Sequence, residues 1–169
     1  MAMVLLLGGA RSGKSAMAAR LASDSRMAVT FIATALAGDD ELAERLRAHR
    51  ANRPATWKTL EAPLDLVGAI RSAGAGDFVV VDCLTLWVSN LLGEGAGSAD
   101  VDAAAEEALA ALRSRDSVVV TNEVGLGIVP VNDLARSFRD ILGSVNSRFA
   151  ATADRAVLMV AGRALDLPR

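Results

Sequence analysis

Short apolar runs alternate with longer segments of helical character along this chain, and this pattern limits its fold more than any other feature. Five runs, several of them rich in β-branched residues, have the composition of buried parallel strands. They cover residues 3–7, 28–34, 78–82, 118–123 and 156–161. The segments between them predict crossover helices at residues 15–21, 39–50, 64–72, 101–114 and 132–154. The alternation predicts an α/β fold with a mostly parallel sheet and helices on both faces.

Length and composition indicate one domain and a small partner. We expect the 169 residues to form a single domain over residues 1–169. A formal net charge of only -2 gives no sign of a nucleic-acid-binding surface. One cysteine, Cys83, and one histidine exclude an internal disulfide and a structural zinc site. No apolar run reaches the length of a membrane span or of a signal-peptide core, so we expect a cytoplasmic protein.

The sequence GGARSGKS follows the first predicted strand and opens the first predicted helix. It consists of Gly8, Gly9, Ala10, Arg11, Ser12, Gly13, Lys14 and Ser15, and it fits the phosphate-binding P-loop pattern G-x4-G-K-[ST]. An ordinary glycine-rich turn would explain Gly8 and Gly13, but not the Lys-Ser pair. We expect Lys14 to reach the β- and γ-phosphates of a nucleoside triphosphate, and Ser15 to complete the shell of a Mg2+ ion.

Two carboxylates lie at the ends of later predicted strands. Asp82 closes the run at residues 78–82, where active sites of open α/β sheets lie, and it is the second predicted Mg2+ ligand. The alternative is that Asp82 caps the following segment. Glu123 either holds metal or accepts a substrate proton, or its carboxylate binds backbone N–H groups of the glycine-rich turn that follows. The spacing leaves both interpretations of Glu123 open.

The only histidine, His49, lies near the end of the predicted helix at residues 39–50. Acidic residues begin that helix and basic residues end it, which complements the helix dipole. His49 follows Leu42 and Leu46 at helical spacing, so it is either a core or capping residue or a catalytic one. A neutral imidazole beside a nucleotide can attack the α-phosphorus and form a covalent nucleotidyl intermediate. The spacing alone does not decide between these interpretations.

With these residues assembled, the chain resembles the bifunctional adenosylcobinamide kinase / adenosylcobinamide-phosphate guanylyltransferase family of cobalamin biosynthesis. Besides the P-loop, the resemblance runs through HRANRPATWKTLE at residues 49–61, VVDCLTLWVSNLL at 80–92, VTNEVGLGIVP at 120–130 and RSFRDILGSVN at 136–146. Residues 162–169 depart from the usual family ending. The resemblance implies a RecA-type P-loop fold, a homotrimer, and a corrinoid that enters between subunits.

The resemblance also implies site residues and two reactions. His49 becomes the nucleophile that carries GMP, and the P-loop holds the nucleotide phosphates. The remaining implied nucleotide contacts are Ala33, Thr34, Ala35, Arg50, Ala51, Asn52, Arg53, Glu61 and Asp82. Some relatives have glutamate at the position of Asp82. The aspartate keeps the carboxylate but has a shorter reach than glutamate. The reactions are phosphorylation of adenosylcobinamide by ATP or GTP, then transfer of GMP from GTP to adenosylcobinamide phosphate, giving adenosylcobinamide-GDP.

Three other functions fit the same P-loop. A simple small-molecule kinase would transfer only the γ-phosphoryl group and leave His49 structural. A monofunctional guanylyltransferase would have lost the kinase step. A nucleotide-dependent switch would couple hydrolysis to the movement of a partner protein.

Overall fold

The computed structural model describes residues 2–36 and 53–169. The strands of the described chain are β1 (Met3–Gly8), β2 (Val29–Ala33), β3 (Lys58–Glu61), β4 (Phe78–Asp82), β5 (Ser117–Val120), β6 (Arg155–Val160) and β7 (Arg163–Leu167). Its helices are α1 (Lys14–Asp24), α2 (Leu66–Ser72), α3 (Leu84–Gly93), α4 (Ser98–Leu112) and α5 (Asp133–Thr152). The predicted helix at residues 39–50, with His49, lies outside the described residues.

The seven strands form one sheet in the order β3-β2-β4-β5-β1-β6-β7. Every neighbouring pair is parallel except β6 and β7, which form an antiparallel hairpin. This confirms the predicted mostly parallel sheet, and each of the five predicted strands is present. The carboxyl ends of β1, β2, β4 and β5 meet at one edge, where ligands of open α/β sheets bind.

The prediction for residues 118–123 was wrong at its end, because β5 stops at Val120. Thr121 still donates its N–H to Leu6 O, at 2.9 Å, but its hydroxyl donates to Asn146 Oδ1 at 2.7 Å. The chain then leaves the sheet, and the Glu123 N–H donates to Gly8 O at 3.2 Å. The last three residues of the predicted strand therefore belong to a loop that lies against the P-loop.

Each face of the sheet is covered by helices, as predicted. Helices α2, α3, α4 and α5 pack on one face, in a core that includes Ile70, Trp87, Leu109 and Phe149. On the other face, Ala18 and Ala22 of α1 pack against strand residues of a second core. Successive β1 residues alternate between these cores, since side chains of a strand point to opposite faces. In the described part of the chain, no helix has both the length and the hydropathy needed to cross a membrane.

Candidate nucleotide site

The glycines of the P-loop are required by the backbone around them. Gly8 has φ 149°, and a Cβ there would lie 2.3 Å from Met159 O on the neighbouring strand β6. Gly13 has φ 98°, and a Cβ there would lie 3.1 Å from the Gly162 Cα. Side chains are disfavoured at such angles, and no side chain fits at Gly8. The loop shape predicted from the G-x4-G-K-[ST] pattern therefore has a direct structural cause at both glycines.

Lys14 is the first residue of α1 and is only 7% exposed. Its Nζ donates to Gly8 O at 2.8 Å and to Gly9 O at 2.7 Å, so the ammonium lies within the loop. Burial lowers the pKa of Lys14 below its ordinary value, and the nearby Cys83 and Asp82 only partly offset this effect. Lys14 therefore adds a cation to the phosphate-binding loop.

The N-terminus of α1 supplies the second feature of a phosphate site. Gly13 occupies the N-cap position and makes no side-chain capping hydrogen bond. The first N–H groups of a helix have no partner within the helix, and they carry its partial positive charge. This end of α1 faces the loop and presents donors of the kind that bind phosphate. Ser15 follows Lys14 in the first turn and is half-buried.

A cavity of about 750 Å3 opens beside the P-loop. Its lining joins the loop to the ends of β4 and β5 and to the middle of β2. It consists of Ala10, Arg11, Ser12, Gly13, Lys14, Ser15, Ala16, Ala19, Phe31, Arg53, Trp57, Asp82, Cys83, Val120 and Asn122. The structure thus brings together the predicted residues of the loop, Arg53 and Asp82. Gly8 and Gly9 shape the loop without lining this cavity.

The other nucleotide contacts implied by the resemblance either do not line this cavity or lie outside the described residues. Thr34 is fully buried, and its hydroxyl donates to Cys83 O at 2.7 Å and accepts from Cys83 N at 2.8 Å. Ala33 pairs in register with Asp82 on one side and with Glu61 on the other. Glu61 lines a second cavity, of about 550 Å3, between β3 and α2. Ala35 follows Thr34, whereas His49, Arg50, Ala51 and Asn52 are among the residues that the structure does not describe.

Asp82 lies at the end of β4, half-buried on the cavity wall. The N-cap position of α3 is taken by Cys83, so the alternative role of Asp82 as N-cap was wrong. The peptide bond between the two residues is cis. Burial and the neighbouring Asp82 raise the pKa of Cys83 to about 11, which keeps its thiol neutral near pH 7.

Ser15 and Asp82 are suited to Mg2+. Both line the cavity, and a hydroxyl and a carboxylate are the hard oxygen ligands that Mg2+ takes beside nucleotide phosphates. Across residues 2–36 and 53–169, no cluster of three or more His, Cys, Asp and Glu side chains could form an all-protein metal site. The arrangement fits a metal that binds through the nucleotide and few protein ligands.

Asn122 reaches the cavity through a buried polar network that the sequence did not reveal. The Asn122 N–H donates to Thr85 Oγ1 at 2.7 Å, and its carbonyl accepts from Asn146 Nδ2 at 3.0 Å. The network joins α3, the loop after β5 and α5. Glu123 lies just outside it, and its carboxylate accepts the Gly125 N–H at 2.5 Å. The structure therefore agrees with the second interpretation of Glu123, in which its carboxylate binds a backbone N–H group of the following turn.

An aromatic cluster that lines the same cavity was also missed. The Arg53 guanidinium lies over the Phe31 ring, and Trp57 stacks on the same ring. Trp57 belongs to the HRANRPATWKTLE block, which was a sequence signal without an assigned role. Nothing in the sequence distinguished Phe31 from the other apolar residues of its buried strand.

A strand, a P-loop and a helix in a mostly parallel sheet define a nucleotide-binding protein of the P-loop, RecA-like class. Solved structures share this fold, although at identities that show the fold alone. The flagellar accessory protein FlaH from Methanocaldococcus jannaschii has a TM-score of 0.54 at 15% identity, over 98% of this chain and 76% of that protein. The RadB recombinase has a TM-score of 0.52 at 13% identity, over 93% of this chain and 73% of that protein.

The chain belongs to the cobinamide kinase / cobinamide phosphate guanyltransferase family, whose model matches residues 4–167. It is 47% identical over 166 residues to the bifunctional adenosylcobalamin biosynthesis protein CobP of Pseudomonas aeruginosa, covering 96% of this chain and 95% of that protein. It is 45% identical over 175 residues to the CobU protein of Salmonella typhimurium, with coverages of 95% and 96%. The family and the fold that the motifs implied are confirmed.

Proposed function

We propose that this chain catalyses both reactions of its family on adenosylated substrates. In the first, a hydroxyl oxygen of adenosylcobinamide attacks the γ-phosphorus of ATP or GTP, the bond to the β-phosphate breaks, and a proton is lost. In the second, a phosphate oxygen of adenosylcobinamide phosphate becomes bonded to the α-phosphorus of GTP, and pyrophosphate leaves. The observation that carries the proposal is a P-loop that opens onto a cavity shared with Arg53 and Asp82, in a chain that matches the family over residues 4–167.

The P-loop and α1 supply charge stabilisation for both steps. Backbone N–H groups of residues 9–15 and the Lys14 ammonium bind the triphosphate and stabilise charge that develops on the transferred group. Ser15 and Asp82 hold Mg2+, which neutralises phosphate oxygens when it is bound. The remaining proposed nucleotide contacts are Ala33, Thr34, Ala35, Arg50, Ala51, Asn52, Arg53 and Glu61.

For the second reaction, we assign His49 as nucleophile. An imidazole nitrogen attacks the α-phosphorus, a P–N bond forms and pyrophosphate leaves. An oxygen of the substrate phosphate then attacks the same phosphorus and the P–N bond breaks, which regenerates the histidine. His49 lies four positions before Arg53, which is on the cavity wall. Because four residues of chain span at most about 14 Å, connectivity is compatible with this role.

We also propose that the chain is a homotrimer of single-domain subunits. The loop between β5 and α5 carries apolar side chains that a monomer exposes, with Leu126 at 85%, Ile128 at 97% and Val131 at 96% exposure. Exposed apolar surface of this kind marks interaction sites. The single seven-stranded sheet supports one domain over residues 1–169. A cytoplasmic location and the absence of a nucleic-acid partner stay predictions from the sequence.

Incubation with GTP labelled at the α-phosphorus tests the covalent step. We expect the native protein, but not His49→Ala, to retain acid-labile and alkali-stable label, which is the signature of a phosphoramidate. The matched control is GTP labelled at the γ-phosphorus, which leaves no label because pyrophosphate departs. If both proteins bind GTP and neither is labelled, the histidine intermediate is wrong, and a simple kinase or a switch becomes the better account.

A further inference from the structure

Three side chains from two separate parts of the chain meet on one wall of the nucleotide cavity. The guanidinium carbon of Arg53 lies 3.6 Å from the centre of the Phe31 ring. The Trp57 ring is stacked on the same phenylalanine, with 6.4 Å between the ring centres and 21° between the planes. All three residues line the cavity beside the P-loop. We call them the Phe31 cluster.

The fold holds the ring of this cluster in a fixed place. Phe31 lies in the middle of β2, which is paired with β3 on one side and with β4 on the other. Its side chain is 5% exposed and packs in the same core as α1. A ring on a strand that is paired on both sides, buried in the core that includes α1, has little freedom to move.

A short turn brings the other two members to this ring. The Trp57 N–H donates to Pro54 O at 3.0 Å, which closes the turn just after Arg53. The proline fixes one backbone angle of the turn. Arg53 and Trp57, four residues apart, therefore both reach Phe31, a residue more than twenty positions earlier in the sequence.

We propose that Phe31 is a positioning residue that holds the Arg53 guanidinium in the orientation needed to bind the nucleotide phosphates. The inference rests on the proposed function, since it takes phosphate as the partner of Arg53. A cation over an aromatic face is attracted by the negative charge of that face. The edges of a planar guanidinium stacked in this way carry its N–H donors, and a fixed plane favours bidentate contact with phosphate oxygens. Trp57 supports the ring by stacking on it.

The test is equilibrium binding of guanosine 5′-(α,β-methylene)triphosphate with Mg2+, because this analogue cannot transfer GMP. We expect Phe31→Leu, which keeps an apolar side chain but removes the ring, to weaken binding about threefold to tenfold, as expected for a cation–π contact. Phe31→Tyr keeps the ring and should bind within about twofold of the native protein. Phe78→Leu is the matched control: Phe78 belongs to the same core and is 8% exposed, but it does not line the cavity. The Phe78→Leu variant should bind the analogue with native affinity.

A double-mutant cycle separates positioning from a general packing effect. If Phe31 acts through Arg53, the double variant with Phe31→Leu and Arg53→Ala binds no more weakly than Arg53→Ala alone. If the double variant loses affinity by the product of the two single losses, or if Phe31→Leu binds with native affinity, the inference is wrong. The role of Arg53 in nucleotide binding is unaffected by either result. An Arg53→Ala variant with native affinity refutes that role, and with it the inference. A failure of GMP labelling would refute the histidine step, but the comparison of nucleotide binding between the Phe31 and Arg53 variants would still be valid. Circular dichroism and thermal unfolding confirm that each variant is folded.

Discussion

The close approach of β1 to β6 at the start of the P-loop makes Gly8 the most sensitive position of the loop. A Cβ on residue 8 would lie 2.3 Å from Met159 O and 2.9 Å from Ser12 Oγ. The first of these atoms is backbone in a paired strand, so the sheet itself must shift to accept Gly8→Ala. Overpacking of a well-packed interior costs about 1 to 3 kcal/mol. The φ of 149° adds backbone strain of roughly 1 to 2 kcal/mol for a residue with a side chain.

We therefore expect Gly8→Ala to lower the free energy of unfolding by about 2 to 5 kcal/mol, and the melting temperature by roughly 5 to 15 °C for a chain of this size. Urea and thermal unfolding, followed by circular dichroism, measure both. Gly9→Ala is the control from the same loop, because a Cβ on Gly9 meets no atom within 4 Å. It should change the free energy of unfolding by less than about 0.5 kcal/mol. Equal effects of the two substitutions would refute the packing argument.

Two further predictions concern buried polar groups. Because the pKa of Cys83 is raised to about 11 from 9.0, the folded protein keeps a proton that the unfolded chain loses, and stability should fall as the pH rises from about 9 to about 11. Cys83→Ala should remove that part of the pH dependence in urea titrations, and an unchanged pH profile would contradict it. Asn146→Leu removes the partner of the Thr121 hydroxyl and of the Asn122 carbonyl, and should cost about 1 to 3 kcal/mol in urea unfolding. Asn132→Ala, an exposed cap of α5, serves as its control and should cost about 1 kcal/mol or less.

The sequence predicted the sheet because its central strands are buried on both faces and read as continuous apolar runs. The two strands it missed lie at the edges. All five residues of β7 are exposed, and β3 has only four residues, none of them fully buried. Helix α3 was missed for the opposite reason: its residues are apolar nearly all round, and no polar face marks a helical period. Periodicity therefore identifies strands buried on both faces and helices with one apolar face. It fails for short edge strands and for helices without a polar face.

The site was predictable to the extent that its residues are close in sequence. The P-loop could be identified because strand, loop and helix follow one another within the first 24 residues. The Phe31 cluster and the Asn122 network could not, because each joins residues more than twenty positions apart, and one sequence carries no record of such contacts. Glu123 stayed open because a carboxylate near a sheet edge has the same pattern whether it binds metal or a nearby N–H group.

The C-terminal hairpin shows how a segment without a family motif can still shape the site. Strand β6 runs parallel to β1, so the turn after it must arrive beside the loop that follows β1. There the Gly162 N–H donates to Ser12 O at 2.9 Å, and the Gly162 Cα lies 3.1 Å from where a Cβ of Gly13 would be. The hydrogen bond joins the turn after β6 to a carbonyl of the P-loop. The requirement for glycine at residue 13 thus comes partly from the far end of the chain.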